Sequence, residues 1–211
     1  MDIGFQRTTQ SRPVEFTLLS KKAYENPFTD VDVSASFVGP DGVERTVPAF
    51  WAGKKSWRTR YASHQIGMHQ FKTICSDETN SDLHGRAGNL EVIEYKGKNP
   101  LLKKGPLKVS EDRRYLEHED GTPFFWLGDT WWMGLTKRLR WPEEFKLLTR
   151  DRVEKGFTAI QIVAGLYPDM PPFDPRGANE GGFPWERDYS RINPTYFDAA
   201  DRRIDWLVRS G

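Results

Sequence analysis

The amino-acid sequence predicts a multi-domain chain, in which an antiparallel β-sandwich of immunoglobulin-like size precedes an α/β segment with βαβα order. Three observations predict this organisation. Apolar residues alternate with a period of two through the first half of the chain, and Lys96–Pro100 then interrupts the pattern. From Phe124 onward, apolar runs alternate with helical stripes. We therefore predict a sandwich domain over residues 1–104 and an α/β segment over residues 105–211.

Short alternating segments predict the strands of the first domain. In the first of them, Val14, Phe16 and Leu18 alternate with polar residues, which is typical of a strand buried on one face. The turn sequence Gly39–Gly42 predicts a hairpin. The predicted strands are Val14–Leu18, Val31–Phe37, Val43–Val47, Trp57–Tyr61, Met68–Cys75 and Asn89–Tyr95.

The second segment begins with two short strands, Leu107–Ser110 and Arg114–Glu117, and then changes character. The continuous apolar runs Phe124–Leu127 and Phe157–Ala164 predict strands that are covered on both faces.

Cap signals bound two predicted helices in this segment. The first helix opens at Trp141–Glu144, where proline and acidic residues favour a first turn, and it ends at Gly156. The second is capped by Asn193 and Pro194 and ends at Gly211. Two βα units cannot cover both faces of a parallel sheet, so we expect the 211 residues to be a piece of a longer chain.

Composition excludes several function classes. The chain has 31 Lys and Arg against 30 Asp and Glu, so its net charge is +1. It therefore lacks the excess of positive charge that is typical of proteins that bind nucleic acid. No apolar run approaches the length of a membrane span. The first residues carry no secretory signal, which predicts a cytoplasmic protein, or a secreted or periplasmic one if the N-terminus was trimmed.

The four histidines show no metal-ligand spacing, and no glycine-rich nucleotide motif is present, so we predict neither a metal nor another cofactor. The aromatic content, 8 Trp, 7 Tyr and 13 Phe, suits both protein cores and sugar-stacking surfaces.

Several motifs resemble those of a known family. The segment Asp120–Trp132, which contains Gly-Asp-Thr-Trp-Trp, is similar to the start of the apiosidase-like glycoside hydrolases. Gly156–Gln161 resembles the second strand of that family, and Asn193–Asp198 resembles its second helix. The motifs Phe28–Val31, Pro48–Trp51 and Leu83–Gly85 are similar to the immunoglobulin-like domain that often precedes such enzymes.

The resemblance implies that the βαβα segment is the first portion of a (β/α)8 TIM barrel. It also implies a hydrolase of O-glycosidic bonds in plant or microbial polysaccharide, whose two catalytic carboxylates lie on later strands, C-terminal to Gly211. On this basis, the partner is an oligosaccharide or polysaccharide substrate, and the 211-residue chain alone is inactive. The alternative is a non-catalytic carbohydrate-binding or accessory β-sandwich module with an incomplete barrel.

The candidate substrate-binding residues at the end of the first βα strand are Asp129, Thr130, Trp131 and Trp132. In a barrel, this end of the strands faces the substrate, where a carboxylate accepts sugar hydroxyl hydrogens and an indole covers the C–H surface. Two alternatives remain open. Asp129 could instead cap the following turn, and one of the two tryptophans could belong to the core.

Two further candidates are Gln161, in the second strand, and Trp185, in the long loop from Gly165 to Asn193. Gln161 is equally compatible with a satisfied interior amide, and Trp185 with plain surface packing. Asp129 and the loop acid Glu180 are poor candidates for a catalytic pair, because a glycine-flanked loop does not fix the geometry that hydrolysis needs.

Overall fold

The computed structural model describes residues 3–211 and divides the chain into two compact units, Met1–Gly97 and Lys98–Gly211. The domain boundary that we predicted between residues 104 and 105 stays a prediction.

The described part of the first unit, from Ile3 onward, contains seven β-strands in one sheet. They are β1 Gly4–Thr9, β2 Val14–Leu19, β3 Val33–Val38, β4 Glu44–Trp51, β5 Ser56–Tyr61, β6 Gly67–Cys75 and β7 Ala87–Ile93. The spatial order is β1-β7-β6-β3-β4-β5-β2, and every pairing is antiparallel except that of β1 with β7. Strand β1 was missed from the sequence, because its residues do not alternate in polarity.

Strand β4 changes partner along its length. Residues up to Pro48 pair with β3, and those from Ala49 onward pair with β5. Proline has no N–H to donate to a strand ladder, so it suits the point where β4 leaves one neighbour for the other. The strand thereby joins what would otherwise be two separate sheets into a single, nearly closed sheet.

The core of the first unit is a cluster of aromatic rings. Phe37 on β3 is fully buried, stacks on Tyr61 with ring centroids 4.0 Å apart, and contacts Phe16 and Phe71. Gly88 on β7 lies opposite Phe71, and a Cβ at that position would approach the Phe71 ring to 2.6 Å. The absence of a side chain at Gly88 therefore makes room for the ring.

The second unit has short elements. Its α-helices are α1 Pro100–Lys103, α2 Glu143–Glu154 and α3 Pro194–Ser210. Strands β8 Leu107–Val109, β9 Leu116–His118 and β10 Pro123–Phe124 form an antiparallel sheet, and β11 Gly128–Trp131 pairs in parallel with β12 Ala159–Ile162. Helix α2 lies between β11 and β12 in the chain.

The predicted fold class, an antiparallel β-sandwich followed by the first βαβα portion of a (β/α)8 TIM barrel, is wrong. The protein is mostly β, its first seven strands form one nearly closed sheet, and 17% of its residues are helical, which does not fit a partial barrel.

One cause of this error lies in the apolar run Phe124–Leu127, which was predicted to be a covered strand. The parallel strand begins only at Gly128, while Phe125 and Trp126 are 74% and 65% exposed. The Thr158 hydroxyl donates to the carbonyl of Phe125 and accepts from the Leu127 N–H, so a side chain takes backbone groups that a strand ladder would otherwise use.

The predicted cap at Asn193 is present in the second unit, and the observed helix bounds lie close to the predicted ones. The side chain of Asn193 accepts from the Thr195 N–H and Pro194 opens α3, as the sequence indicated. Glu143 and Glu144 occupy the first turn of α2, where their negative charges interact favourably with the helix dipole.

Replacing Phe37 with alanine tests the aromatic core of the first unit. We expect Phe37→Ala to lower the free energy of unfolding by about 3–5 kcal/mol, because a fully buried ring is lost and a cavity remains. The control is Ile74→Ala on β6, where the side chain is 45% exposed and the expected loss is below about 1 kcal/mol. Urea unfolding measures both, and equal losses would contradict the assigned core.

Candidate functional site

The candidate site lies at the carboxyl end of the two parallel strands. Thr130 on β11 pairs in register with Gln161 on β12, and a long connection follows each strand. The two connections meet where the Lys137 N–H donates to the carbonyl of Ala178 over 3.0 Å. In open parallel sheets, ligands bind outside the carboxyl ends of the strands.

Asp129 and Trp131 face helix α2. One carboxylate oxygen of Asp129, Oδ2, accepts from the Trp131 indole N–H at 3.0 Å and from Nε of Arg152 at 2.5 Å, while Oδ1 accepts from the Thr130 N–H at 2.8 Å. Trp131 is 5% exposed, and its ring meets Phe145 of α2 edge-on at 5.3 Å. These contacts fix the end of β11 against the helix.

The Arg152 guanidinium beside Asp129 holds the pKa of that carboxyl below its ordinary value, since the hydrogen bond favours the ionised form. The indole and backbone donors act in the same direction. Asp129 is therefore an ionised acceptor at neutral pH and is not a proton donor.

Thr130 and Gln161 lie on the opposite face of the sheet. Successive side chains of a strand alternate between faces, and register partners share a face, so these two side chains are neighbours. Both are exposed, and Trp132, directly after β11, is 41% exposed. The structure thus brings together the hydroxyl of Thr130 and the amide of Gln161 near the carboxyl end of the sheet.

Trp185 is partly buried in the long loop, where its backbone forms an isolated antiparallel bridge with Ile192. Its predicted role in substrate binding stays a prediction, as do the roles predicted for the other candidate residues.

Side-chain hydrogen bonds hold the long loop against helix α3. The Asn179 amide donates to the carbonyl of Tyr196 at 3.0 Å. The Asn193 amide donates to the carbonyls of Gly181 and Phe183 at 2.7 and 2.8 Å. The loop is therefore fixed at several points despite its length and its glycines.

The same loop is tied to a buried guanidinium. Arg203 on α3 is fully buried, and it donates to both carboxylate oxygens of Glu180 at 2.8 and 2.9 Å. It also lies over the rings of Trp141 and Phe145, at 5.7 and 5.9 Å. The bond to Arg203 lowers the pKa of Glu180, so this carboxyl is also held in its ionised form.

Arg152 and Arg203 were not predicted from the sequence, although a signal for them was available. Arg152 follows the buried Phe145 by seven residues, and Arg203 follows the buried Tyr196 by the same interval. Seven residues are two helical turns, so each arginine lies on the apolar stripe of its helix. A charged residue on such a stripe needs an acidic partner, and both arginines have one.

An apolar groove of about 480 Å³ runs along the helical side of β12. Its lining includes Val153, Ile160, Ile204 and Val208, with Arg152 at its polar part. Sugar hydroxyls need hydrogen-bond partners, so this lining suits a sugar less well than the face that carries Thr130 and Gln161.

Neither a metal cluster nor a membrane-spanning helix was found in the part of the chain that the structure describes. Over residues 3–211, no three His, Cys, Asp or Glu side chains group together in a way that could hold a metal ion. Within the same range, no helix is both long enough and apolar enough to cross a membrane.

Family models match both parts of the chain. Residues 110–211 match the apiosidase-like catalytic domain, and residues 7–76 match a domain of unknown function, DUF5060. The first match agrees with the resemblance carried by the Gly-Asp-Thr-Trp-Trp segment. No curated protein matches the chain.

The chain is also similar to a solved structure, described as a "putative glycoside hydrolase from Bacteroides vulgatus ATCC 8482". The two are 25% identical with a TM-score of 0.69, and the alignment covers 100% of this chain and 40% of the other. A second solved structure, the Lin-41 filamin domain, is 13% identical with a TM-score of 0.32 over 42% of this chain and 84% of the other.

The family match and the first solved structure support a relationship of this chain to the apiosidase-like family. The chain spans 40% of the length of the solved structure it matches.

Acidification tests the Arg152–Asp129 pair. We expect Arg152→Met to lower the melting temperature at pH 7, because Asp129 loses its cationic partner. A carboxyl with a depressed pKa stabilises the fold above its unfolded-state pKa of about 3.9, and this contribution is lost as the pH falls through the lower, folded-state pKa. The difference from the wild type should therefore be constant above about pH 5 and shrink below about pH 4.

The matched control is Arg150→Met, an exposed arginine on the same helix. Circular dichroism melts at several pH values measure all three proteins. An Arg152→Met deficit that is equally large at pH 2.5 and pH 7 would contradict the role given to the ion pair.

The Glu180→Gln variant tests the buried guanidinium. We expect a loss of about 2–3 kcal/mol in the free energy of unfolding, because Arg203 is left buried with no carboxylate partner. Glu186→Gln, an exposed position on the same loop, is the control and should leave the stability unchanged. Equal stability of the two variants in urea unfolding would show that the pair does not hold the loop.

Proposed function

We propose that this chain carries sugar-contacting residues of a glycoside hydrolase that cleaves O-glycosidic bonds in plant or microbial polysaccharide by a two-carboxylate mechanism. The observation that supports this most directly is the exposed Thr130–Gln161 pair at the carboxyl end of β11 and β12. These residues lie within the segment that matches the apiosidase-like catalytic domain.

Each residue has a distinct task in this proposal. The Thr130 hydroxyl and the Gln161 amide hydrogen-bond to sugar hydroxyls, since together they offer donors and acceptors to one ligand. Trp132 covers the C–H surface of the sugar with its exposed indole. Asp129 and Trp131 affect substrate binding indirectly. They attach β11 to α2 and thereby fix the position of the strand that carries Thr130.

The catalytic pair is a separate question. Glycoside hydrolysis needs two carboxyl groups roughly 5–9.5 Å apart, and one of them acts as a proton donor. Asp129 and Glu180 are each hydrogen-bonded to an arginine and have a lowered pKa, so neither suits the role of general acid. We expect the pair C-terminal to Gly211.

Substitution of the exposed pair tests the proposed contact. We expect Gln161→Ala to weaken binding of the cognate oligosaccharide by about 2–10-fold, because about one hydrogen bond's worth of affinity, 0.5–1.5 kcal/mol, is lost. Thr130→Ala should have a similar effect. The matched control is Gln70→Ala, an exposed strand glutamine of the first unit. Isothermal titration with a panel of oligosaccharides measures the affinities, and unchanged binding in both variants would exclude this face.

A turnover assay tests the position of the catalytic pair. We expect the 211-residue chain to release no product from aryl glycosides or polysaccharides, because the acids considered above are held as arginine-paired carboxylates. Measurable hydrolysis that disappears in Asp129→Ala would overturn this assignment and make Asp129 a member of the pair.

A further inference from the structure

The tip of the long loop holds a tyrosine in a backbone conformation that favours glycine. Trp185 and Ile192 form an isolated bridge, the Glu186 N–H donates to Arg191, and the Tyr189 N–H closes a turn onto the carbonyl of Glu186 at 2.9 Å. Tyr189 has a φ of 59°, in the left-handed region. Bulky residues are rarely found there, because Cβ crowds the backbone.

The aromatic partner of Tyr189 is strained in the same way. Phe173 has a φ of 62°, and its ring centroid lies 5.3 Å from that of Tyr189. Phe183 meets Phe173 edge-on at 5.5 Å, and the Arg187 guanidinium lies 5.6 Å from the Phe173 ring centre. Tyr189 is thus backed by Phe173 and remains 48% exposed.

Folding alone gives no reason for this arrangement. Glycine at position 189 would relieve the backbone strain, and the loss of a half-exposed ring would remove little buried surface. An exposed ring that is fixed from behind, on a loop attached by Glu180 to the buried Arg203, is instead a preorganised binding surface. Its rigidity means that little conformational entropy is lost when a ligand stacks on it.

The position of the loop indicates which ligand it contacts. The loop leaves the carboxyl end of β12, and its Ala178 accepts from Lys137 in the connection that follows β11. It therefore belongs to the same end of the sheet as Thr130 and Gln161. A tyrosine ring with an apolar face and a hydroxyl matches the C–H face and the hydroxyls of a sugar.

We propose that Tyr189 is a sugar-stacking residue of the substrate site, a role that rests on the function proposed above. Its ring covers the C–H face of a sugar residue of the polysaccharide, and its hydroxyl hydrogen-bonds to a neighbouring sugar hydroxyl. Phe173 is a positioning residue, since it touches the Tyr189 ring and sets its plane.

The Tyr189→Gly variant separates binding from folding, because it removes the ring and relieves the strain together. We expect its melting temperature to equal or exceed that of the wild type, and its affinity to fall about tenfold through the loss of aromatic stacking. Tyr189→Phe keeps the ring and should retain most of the affinity.

The matched control is Arg113→Gly. Arg113 is exposed, has a φ of 60°, and closes a turn of the same kind with its N–H on the carbonyl of Ser110. The Arg113→Gly variant also replaces a residue of left-handed backbone conformation with glycine in the same unit, but it removes no aromatic ring. We expect its affinity to equal that of the wild type.

Native affinity electrophoresis of the 211-residue chain, in gels that contain pectin, arabinoxylan or dextran, measures the binding, and circular dichroism melts measure the stability. Retardation of the wild type and Arg113→Gly, with loss of retardation in Tyr189→Gly, supports the proposal. Equal retardation of Tyr189→Gly and the wild type overturns it and leaves the glycosidase proposal in place. If no polysaccharide retards the wild type, the proposed substrate class fails and the stacking role fails with it.

Discussion

The second unit depends on one buried guanidinium. Arg203 is enclosed by the rings of Trp141 and Phe145 and neutralised by Glu180, so it joins helix α3, helix α2 and the long loop at a single point. Removing a charge of this kind from water is costly unless it is paired, and the two hydrogen bonds to the carboxylate of Glu180 supply that pairing, while Nε of Arg203 is left without a hydrogen-bond partner among the described residues. Together with the hydrogen bonds of Asn179 and Asn193, this contact sets the position of the loop.

Successive residues of β11 face opposite sides of the sheet, so the residues of the Gly-Asp-Thr-Trp-Trp segment have different roles. Asp129 and Trp131 face the helix and stabilise the strand, whereas Thr130 faces outward beside Gln161. Neighbouring residues of one motif thus have opposite surroundings, one set satisfied by protein groups and the other open to a ligand. A motif that looks like one functional element in the sequence therefore contains two sets of residues in the structure. One set stabilises the strand, and the other is open to a ligand.

The helix starts were predicted correctly from the sequence because they depend on local signals. Asn193 caps α3 and the acidic residues begin α2, because these effects depend only on residues one turn away. Errors arose where distant partners decide the outcome. The Thr158 hydroxyl hydrogen-bonds to backbone groups within the predicted strand Phe124–Leu127, and β4 is shared between two neighbours in a way that alternation alone does not encode.

The candidate site shows the same division. The sequence identified Thr130 and Gln161 as candidates, the first at the end of one predicted strand and the second within the next, since both places follow from order along the chain. It could not assign the three donors of Asp129, because one of them, Arg152, is distant in sequence and is recognised only once α2 is packed. Tyr189 was not predicted to be a site residue. Its backbone angle is set by the turn at the tip of the long loop and cannot be recognised in the residue pattern.

The shared strand β4 has a consequence for how the first unit comes apart. Since β4 gives its first part to β3 and its last part to β5, detachment of either side would leave one part of this continuous strand without its partner. The side that holds β5 and β2 and the side that holds β3, β6 and β7 therefore form one cooperative unit. Amide protons on both sides should then exchange with solvent through the same global opening, with no partly open state in which one side alone is exposed.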